Sequence, residues 1–217
     1  MSQNVPQREH FQQAYDGRAP WDIGKPQPVF VEAAEQVTGR LLDVGCGTGE
    51  NSLFFAARGH PTTGIDFLEH PIAEANRKAR ERGLPATFMV MDALRLDELG
   101  EDFDSAIDCG LFHVFSDPDR ARYVDALESV VKPGGRLFLM CFSDLEPPGD
   151  GPRRITRDEI HAAFATDWHV ESIRQVRFET RRDPQQSPFS EGGPFAWFSV
   201  ICRTGSSPGG TIADVKG

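Results

Sequence analysis

Hydrophobic and polar positions recur along the middle of the chain with two periods, one typical of buried strands and one typical of helices. The apolar run LLDV at 41–44 suits a strand that is covered on both faces. Alternating glycines follow from Gly45, and NSLFFAAR at 51–58 then carries apolar residues at helical spacing. We therefore predict a strand, a glycine turn and a helix, which is the first unit of a doubly wound α/β sheet.

The same alternation of strand and helix continues beyond the first unit. The further predicted strands of this part span 61–65, 86–90, 103–108 and 136–142, and the predicted helices between them span 71–82 and 117–131. The last of these strands is an almost continuous apolar run, which again indicates cover on both faces. This order predicts a mostly parallel, Rossmann-like sheet.

The C-terminal third departs from that alternation. Thr156 to Glu159 has the residues of a capping box, and it predicts a helix ending near residue 165. The stretches 168–179 and 195–203 have strand character with no helix between them, so we expect an antiparallel hairpin. The whole chain is thus predicted to form a seven-stranded sheet with this hairpin at one edge.

The N-terminal segment, residues 1–28, is rich in Gln and Pro and contains Tyr15 and Trp21. Its prolines predict that no packed helix runs through the segment, because proline lacks the backbone N–H and clashes with the preceding turn. A tail would have no need of Trp21, so we expect the segment to pack on the domain as an arm. A short helix at 30–36 then leads into the first strand.

The length of 217 residues with 39% hydrophobic positions allows one domain with a substantial core. We assign 1–28 to the N-terminal arm, 29–204 to the domain, and 205–217 to a Gly/Ser/Pro-rich tail that we expect to be disordered. The four cysteines are scattered without paired spacing, which argues against a disulfide framework and a zinc site. The same pattern favours a reducing compartment.

Charge and hydropathy narrow the possible partners. The formal net charge of −10 repels phosphate backbones, and no dense Lys/Arg stripe offsets it, so nucleic acid is a poor candidate substrate. The first residues lack the apolar core of a signal peptide, and no stretch approaches the ~20 apolar residues that span a bilayer. We therefore expect a cytoplasmic protein without membrane contact.

The glycine turn has the spacing Gly45-x-Gly47-x-Gly49, whereas dinucleotide sites use G-x-G-x-x-G with a pyrophosphate at the helix start. We expect Asp43 and Glu50 to flank the ligand, and two carboxylates would repel a pyrophosphate. S-adenosylmethionine carries an ammonium and a sulfonium and no phosphate, so the local charge favours it. A nicotinamide-dependent oxidoreductase is the disfavoured alternative.

The stretch LLDVGCGTG resembles the first motif of the class I S-adenosylmethionine-dependent methyltransferases, and the similarity extends over about residues 38–142. The resemblance implies that Asp66 binds both ribose hydroxyls, that Asp92 and Ala93 line the adenine, and that Phe67 packs on its face. We assign Cys46 a packing role in the turn rather than that of a nucleophile. The full predicted cofactor site comprises Trp21, Asp43, Gly45, Cys46, Gly47, Thr48, Gly49, Asp66, Phe67, Asp92, Ala93 and Cys109.

The residues after the fourth strand bear on the methyl acceptor. Methyltransferases that act on bases of nucleic acids carry an Asn/Asp-Pro-Pro-aromatic motif there, and this chain has Cys109-Gly-Leu-Phe-His113 instead. Leu111, Phe112, His113 and Phe115 predict an apolar pocket floor with one titratable group. His113 is a candidate general base or substrate hydrogen-bond partner, and a histidine bonded to the backbone is the equal alternative.

The stretch PWDIG at 20–24 resembles a segment ahead of the first motif in plant halide/thiol methyltransferases and, more loosely, in thiopurine methyltransferases. The resemblance implies that this arm covers the cofactor and closes the acceptor pocket. Trp21 and Tyr15 would then form a lid over the sulfonium, since an aromatic face attracts a cation. The predicted substrate-binding residues are Tyr15, Trp21, Phe112, His113 and Phe142.

These observations together predict a class I enzyme that moves a methyl group from S-adenosylmethionine to a small, largely apolar acceptor and releases S-adenosylhomocysteine. The acceptor would be a heterocycle, a phenol or quinol, or a thiol, and the protein a monomer or homodimer. A binding module that senses the cofactor and a protein or RNA methyltransferase are the alternatives. The acids near the fourth strand have no convergent spacing, so we predict no metal.

Overall fold

The computed structural model describes residues 8–16, 19–149, 151–181 and 189–205. The helices are α1 (Arg8–Asp16), α2 (Pro28–Glu32), α3 (Glu50–Ala57), α4 (Glu69–Arg82), α5 (Asp117–Val130) and α6 (Arg157–Ala163). The strands are β1 (Leu41–Val44), β2 (Thr62–Asp66), β3 (Ala86–Val90), β4 (Phe103–Cys109), β5 (Val131–Phe142), β6 (Trp168–Arg177) and β7 (Phe195–Arg203). Short 3-10 turns lie at Ala34–Gln36, Ala93–Leu99 and Phe112–Val114.

The strands form one sheet in the order β3-β2-β1-β4-β5-β7-β6. β1 to β5 are parallel, and β7 runs antiparallel between β5 and β6. The predicted seven-stranded, doubly wound sheet with an antiparallel hairpin at one edge is confirmed. Strand order reverses between β1 and β4, where Val44 is in register with Ile65 and Asp108. That reversal opens the crevice in which sheets of this kind bind ligands.

The continuous apolar runs of the central strands arise because helices cover both faces of the sheet. In β5, Leu137 and Leu139 pack into a cluster that includes Tyr123 of α5, whereas Phe138 and Met140 pack into the cluster on the other face. All five side chains are completely buried. The sheet is therefore a rigid support for the groups at its edge.

β5 begins at Val131, earlier than the strand predicted from residue 136. Val131 pairs with Phe103, the register then shifts, and regular pairing with β4 resumes at Arg136. The Pro-Gly-Gly sequence between these two points conceals the first pair, because it has the composition of a turn.

The N-terminal segment contains α1, so the prediction that no packed helix runs through residues 1–28 is wrong. The helix ends at Asp16, before the proline cluster that begins at Pro20, and those prolines therefore never enter it. The expected disordered tail lies almost wholly outside the described residues, which end at 205. Among the helices that the structure describes, none has the length and apolar character needed to cross a bilayer.

Candidate active site

The glycine turn lies at the carboxyl end of β1, where backbone conformation and close packing both require glycine. Gly47 and Gly49 have φ of 53° and 82°, in the left-handed region that side chains disfavour. A Cβ at Gly49 would lie 2.9 Å from the ring of Phe88, and one at Gly47 would lie 2.6 Å from the Tyr15 hydroxyl. The turn is therefore closely covered by side chains from β3 and α1.

Two buried carboxylates hold the turn from inside the crevice. Asp66 accepts hydrogen bonds from the backbone N–H of Gly47 at 3.1 Å and of Leu68 at 3.0 Å. Asp43 accepts the Ser52 hydroxyl on Oδ2 at 2.5 Å. Its other oxygen, Oδ1, is buried and has no hydrogen-bond partner among the described residues.

These carboxylates belong to a group of three acids at the ends of adjacent strands. Burial raises the pKa of Asp43 to about 7, and the nearby charge of Asp66 adds to the rise. Burial also raises the pKa of Asp66 itself. Asp108 in β4 behaves alike: burial raises its pKa to about 7 although it accepts the Tyr123 hydroxyl at 2.9 Å.

The hydrogen bonds that these acids receive within the described ranges come from backbone N–H groups and hydroxyls, and none comes from a lysine or arginine. An acidic group of this kind, with one buried oxygen left without a partner, suits a positively charged ligand. S-adenosylmethionine fits this requirement, and a pyrophosphate does not.

Glu50 does not provide the second acid at the turn, so that expectation is wrong. Its carboxylate pairs with Lys78 and Arg82 of α4, both at 2.9 Å. Burial alone would raise its pKa, but the hydrogen bonds from these two cations hold the pKa below its usual value. Lys78 also donates to the carbonyl and hydroxyl oxygens of Thr48, at 3.1 and 2.9 Å, and so braces the turn from behind.

Three aromatic residues of the N-terminal segment, Phe11, Tyr15 and Trp21, form what we call the N-terminal cover. Trp21 Nε1 donates to the Tyr15 hydroxyl at 3.1 Å, and the ring of Phe11 meets that of Phe67 edge-on at 5.8 Å. Burial and the charge of Asp66 raise the pKa of Tyr15 well above its usual range. The cover thus lies on the turn and beside the acid at the end of β2, while Trp21 remains 37% exposed.

The residues predicted to line the adenine follow β3. Asp92 is exposed and accepts the backbone N–H of Leu94 at 2.9 Å, which caps the following 3-10 turn, and Ala93 is buried. Cys46 packs beside a buried cluster around Phe88, and burial raises the pKa of its thiol. This environment is that of a packing residue rather than a nucleophile.

Four rings form a second group beyond the end of β4, which we call the His113 cluster: His113, Phe142, Phe178 and Phe189. Phe142 is central, with ring centroids 4.9 Å from His113, 5.2 Å from Phe178 and 5.3 Å from Phe189. A Cβ at Gly110 would lie 3.6 Å from His113 Nε2 and 3.7 Å from the Phe178 ring. The glycine after β4 therefore leaves space directly beside these two rings.

His113 is held by the backbone, since its Nδ1 accepts the N–H of Phe142 at 2.9 Å. A neutral ring that accepts through Nδ1 carries its proton on Nε2. Burial lowers the pKa of His113 to about 3, and the charges of Arg154 and Arg120 contribute. Near neutral pH the side chain is therefore a hydrogen-bond donor through Nε2 and a very weak base.

Phe112 lies apart from the His113 cluster. Its ring is fully buried, stacks on Phe164 at 5.8 Å and lies under the guanidinium of Arg120 at 4.8 Å. This position is in the core between α5 and α6, and it does not favour the predicted contact with substrate. Cys109 packs against the cluster of buried residues that contains Phe142, and burial raises the pKa of its thiol.

Phe178 and Phe189 were not identified from the sequence, nor was the support that Lys78 gives to Thr48. No short motif includes these residues, because each comes from an element remote in the chain from the part that it touches. A lone phenylalanine in a late strand also has the ordinary signature of a core residue. Among the described residues, no three His, Cys, Asp or Glu side chains converge as a metal site would require.

Residues 41–135 match the family model of the methyltransferase domain. The chain is 31% identical over 206 residues to the 2-heptyl-1-hydroxyquinolin-4(1H)-one methyltransferase of Mycobacteroides abscessus, a match that covers 89% of this chain and 88% of that protein. The chain belongs to the methyltransferase family and is a class I S-adenosylmethionine-dependent enzyme. The predicted family, activity and cofactor are thereby confirmed.

Two further relatives bear on the subgroup. A probable thiol methyltransferase 2 of Arabidopsis thaliana is 31% identical over 150 residues, covering 66% of this chain and 65% of that protein. A structure solved in work on the conversion of a disulfide bond into a thioacetal group during echinomycin biosynthesis superposes with a TM-score of 0.80 at 34% identity, covering 92% and 94% of the two chains. The predicted resemblance to small-molecule methyltransferases, among them a plant thiol methyltransferase, is confirmed.

Proposed function

We propose that the protein transfers the methyl group of S-adenosylmethionine to a small, largely apolar acceptor: a heterocycle, a phenol or quinol, or a thiol. The observation that carries this proposal is the His113 cluster, an aromatic wall with one polar donor that lies beyond β4, the neighbour of β1 and its glycine turn. Aromatic rings with a single hydrogen-bonding group suit a flat or apolar acceptor.

The relatives support the same class of acceptor. One is named for a hydroxylated quinolone and another for thiols, and the solved neighbour belongs to work on a disulfide. A hydroxyl on a quinolone, a thiol and a disulfide each offer a soft or acidic nucleophilic atom. This chain shares most of its length with the first and third of these proteins, so we extend the class of acceptor to it.

The cofactor supplies an electrophilic methyl group on a sulfonium sulfur, so the protein has chiefly to align the acceptor and exclude water. We assign Asp66 to the ribose hydroxyls and Asp92 with Ala93 to the adenine, with Phe67 on its face. The turn from Gly45 to Gly49 would bring backbone close to the cofactor, and Asp43 would add negative charge beneath it.

We assign His113 the role of orienting the acceptor through Nε2–H rather than removing its proton. The hydrogen bond from Phe142 occupies Nδ1, and a pKa of about 3 leaves the ring little capacity to accept a proton near pH 7. Phe142 would form the wall against which the acceptor stacks. The acceptor, having lost its proton to solvent, would then attack as the nucleophile, aligned by these two side chains. Its new bond to the methyl carbon would replace the bond from that carbon to sulfur, and S-adenosylhomocysteine would leave.

We further propose that residues 1–28 act as the arm that closes the site, with Tyr15 and Trp21 over the turn and 29–204 as the catalytic domain. Support comes from Tyr15, whose hydroxyl lies so close to the turn that a Cβ at Gly47 would be only 2.6 Å from it. We expect a cytoplasmic monomer or homodimer that acts on small molecules and not on nucleic acid, in line with its net charge of −10.

The test is a panel of thiols, phenols and hydroxylated heterocycles incubated with methyl-labelled S-adenosylmethionine. We expect the label in at least one small acceptor, and loss of most of that transfer in Phe142→Ala. Tight cofactor binding with no labelled small product would contradict the proposal and would favour a cofactor sensor. Label in added protein or RNA alone would favour a macromolecular substrate.

A further inference from the structure

Gln27 is a polar residue that the chemistry above does not use, and only 4% of it is exposed. Its side-chain amide pairs with the backbone of Glu179 through two hydrogen bonds. Nε2 donates to the Glu179 carbonyl at 2.8 Å, and the Glu179 N–H donates to Oε1 at 2.9 Å. Both ends of the amide are thus satisfied, and the orientation of the group is fixed by its partners.

The backbone of the same residue is tied to the cofactor side of the site. Gln27 N–H donates to the Asn51 side chain at 3.0 Å, and Asn51 lies in the first turn of α3, directly after the glycine turn. Gln27 is therefore linked to the helix that directly follows the glycine turn.

The other side of the pair leads to the His113 cluster. Phe178 immediately precedes Glu179, and its ring contacts Phe142 at 5.2 Å and His113 at 6.1 Å. The stretch after β6 also holds the arm: Lys25 pairs with Glu179 at 2.7 Å, and Arg181 N–H donates to the Pro20 carbonyl at 2.8 Å. Exposed contacts of this kind contribute little. The buried amide instead holds Glu179 directly after Phe178, whose own N–H donates to the Pro194 carbonyl at 3.0 Å, so the ring is held from both sides.

We propose that Gln27 is a positioning residue for methyl transfer: its side-chain amide fixes Phe178, and with it the His113 cluster, relative to the glycine turn. This proposal rests on the proposed function, because it assigns the cluster to the acceptor. Displacement requires the acceptor atom to approach the methyl group in one direction, so a small shift of the wall lowers the rate without touching the cofactor.

The test compares two substitutions that remove the pairing in different ways. Gln27→Met keeps the length and volume of the side chain and deletes both hydrogen bonds. Gln27→Glu keeps the acceptor and places a carboxylate oxygen against the Glu179 carbonyl. Both variants retain the backbone bond to Asn51, so the cofactor side should be unaffected.

We expect kcat/KM for the acceptor identified by the panel to fall about tenfold or more in both variants, because misplacement of the acceptor is costly. The dissociation constant for S-adenosylhomocysteine, measured by calorimetry, should change less than about twofold. The matched control is Gln175→Met, at an exposed glutamine of β6. Assays run well below the lowest Tm of the set, so that loss of folded protein does not contribute.

An unchanged kcat/KM would overturn the proposal, as would a loss of cofactor affinity equal to the loss of kcat/KM, since a purely structural role affects both alike. If the Gln27 variants do not fold, Phe178→Leu removes the positioned ring and leaves the amide pair, and the same separation of effects is expected. If the unmodified protein methylates no member of the panel, the proposed function fails before Gln27 is tested. The two failures are therefore distinguishable.

Discussion

The glycine turn and the His113 cluster lie at the same edge of one sheet but consist of different chemical groups. The turn is made of backbone N–H groups and buried acids, with Asp43 and Asp66 within 25 positions of each other along the sequence. The cluster is made of rings that come from four separate parts of the chain. Its single titratable member, His113, is kept neutral.

With the roles proposed above, the two groups recognise different molecules, the cofactor and the acceptor. Charge and backbone hydrogen bonds can recognise a cofactor that is the same in every turnover, and they are set by residues close in sequence. Apolar rings recognise the shape of an acceptor, and we expect that each ring can be substituted without disturbing the glycine turn. We therefore predict that substitutions in the glycine turn change cofactor affinity, whereas substitutions in the His113 cluster change use of the acceptor.

On the cofactor side, a large effect is expected for Gly47→Ala. The new Cβ would lie 2.6 Å from the Tyr15 hydroxyl and would sit on a residue with φ of 53°. We expect the dissociation constant for S-adenosylhomocysteine to rise about tenfold, from the cost of placing a Cβ in the left-handed region. Calorimetry measures the change.

Tyr15→Phe provides the matched second variant for this prediction. It removes the hydroxyl, and the next atom of the ring is 3.7 Å from the place that a Cβ at Gly47 would occupy, an ordinary contact. Part of the lost affinity should return in the double variant, and the backbone strain should remain. A double variant no better than Gly47→Ala alone would show that Tyr15 does not cover the turn when the cofactor binds.

On the acceptor side, His113→Ala should lower kcat/KM for the acceptor about tenfold through loss of one hydrogen bond and of packing. Because the pKa of His113 is about 3, the pH profile of kcat/KM should keep its shape above about pH 5. Rate measurements across that range check both points. If the unmodified protein loses kcat/KM below about pH 6 to 7 and the variant does not, His113 acts as a base.

A smaller effect is expected behind the turn. Lys78→Met removes the ammonium that binds the carbonyl and hydroxyl of Thr48, and we expect a weakening of cofactor binding of about threefold. Lys132→Met is the control, since Lys132 pairs with Asp104 near the opposite end of β4, at 2.7 Å. Equal effects of the two substitutions in calorimetry would mean that Lys78 acts only on general stability.

The smallest effects concern the pH dependence of the free energy of unfolding. Asp43 of the turn and His113 of the cluster should change it in opposite directions as pH rises. The pKa of Asp43 is raised to about 7 in the folded state, so its contribution to stability is full below about pH 4 and is lost as pH rises through 7. The pKa of His113 is lowered to about 3, so its contribution is full above about pH 6.5 and is lost as pH falls.

Denaturant unfolding between about pH 4 and 8 measures these slopes. Asp43→Asn, which can still accept the Ser52 hydroxyl, should reduce the loss of unfolding free energy as pH rises. His113→Ala should reduce the loss as pH falls. Identical slopes in the unmodified protein and both variants would mean that neither group is as buried as the structure has it.

The sequence allowed the sheet and the position of the glycine turn to be predicted, because both depend on local patterns. An apolar run, an acid and spaced glycines lie within ten residues, and Asp66 follows the next strand along the chain. Glu50 does not add negative charge at the turn, contrary to the expectation from the sequence. Glu50 is neutralised by Lys78 and Arg82, whose approach depends on how α4 packs rather than on any feature of the turn.

The rest depends on contacts between distant positions, which one sequence does not display. Gln27 and Glu179 are 152 positions apart, and neither occurs in a motif. The prolines correctly indicated where the arm is irregular, but they carried no information about α1, which lies ahead of them. Phe112 and His113 are neighbours in the chain, yet the 3-10 turn sends one ring into the core and the other toward Phe142.

The most direct test of this division is the dissociation constant for S-adenosylhomocysteine, measured by calorimetry for Asp66→Asn and Phe142→Leu side by side. We predict that Asp66→Asn weakens binding tenfold or more, because hydrogen bonds to a charged group contribute about that much free energy. Phe142→Leu should change the dissociation constant by less than about twofold. Weakening by Phe142→Leu with unchanged binding in Asp66→Asn would contradict the account.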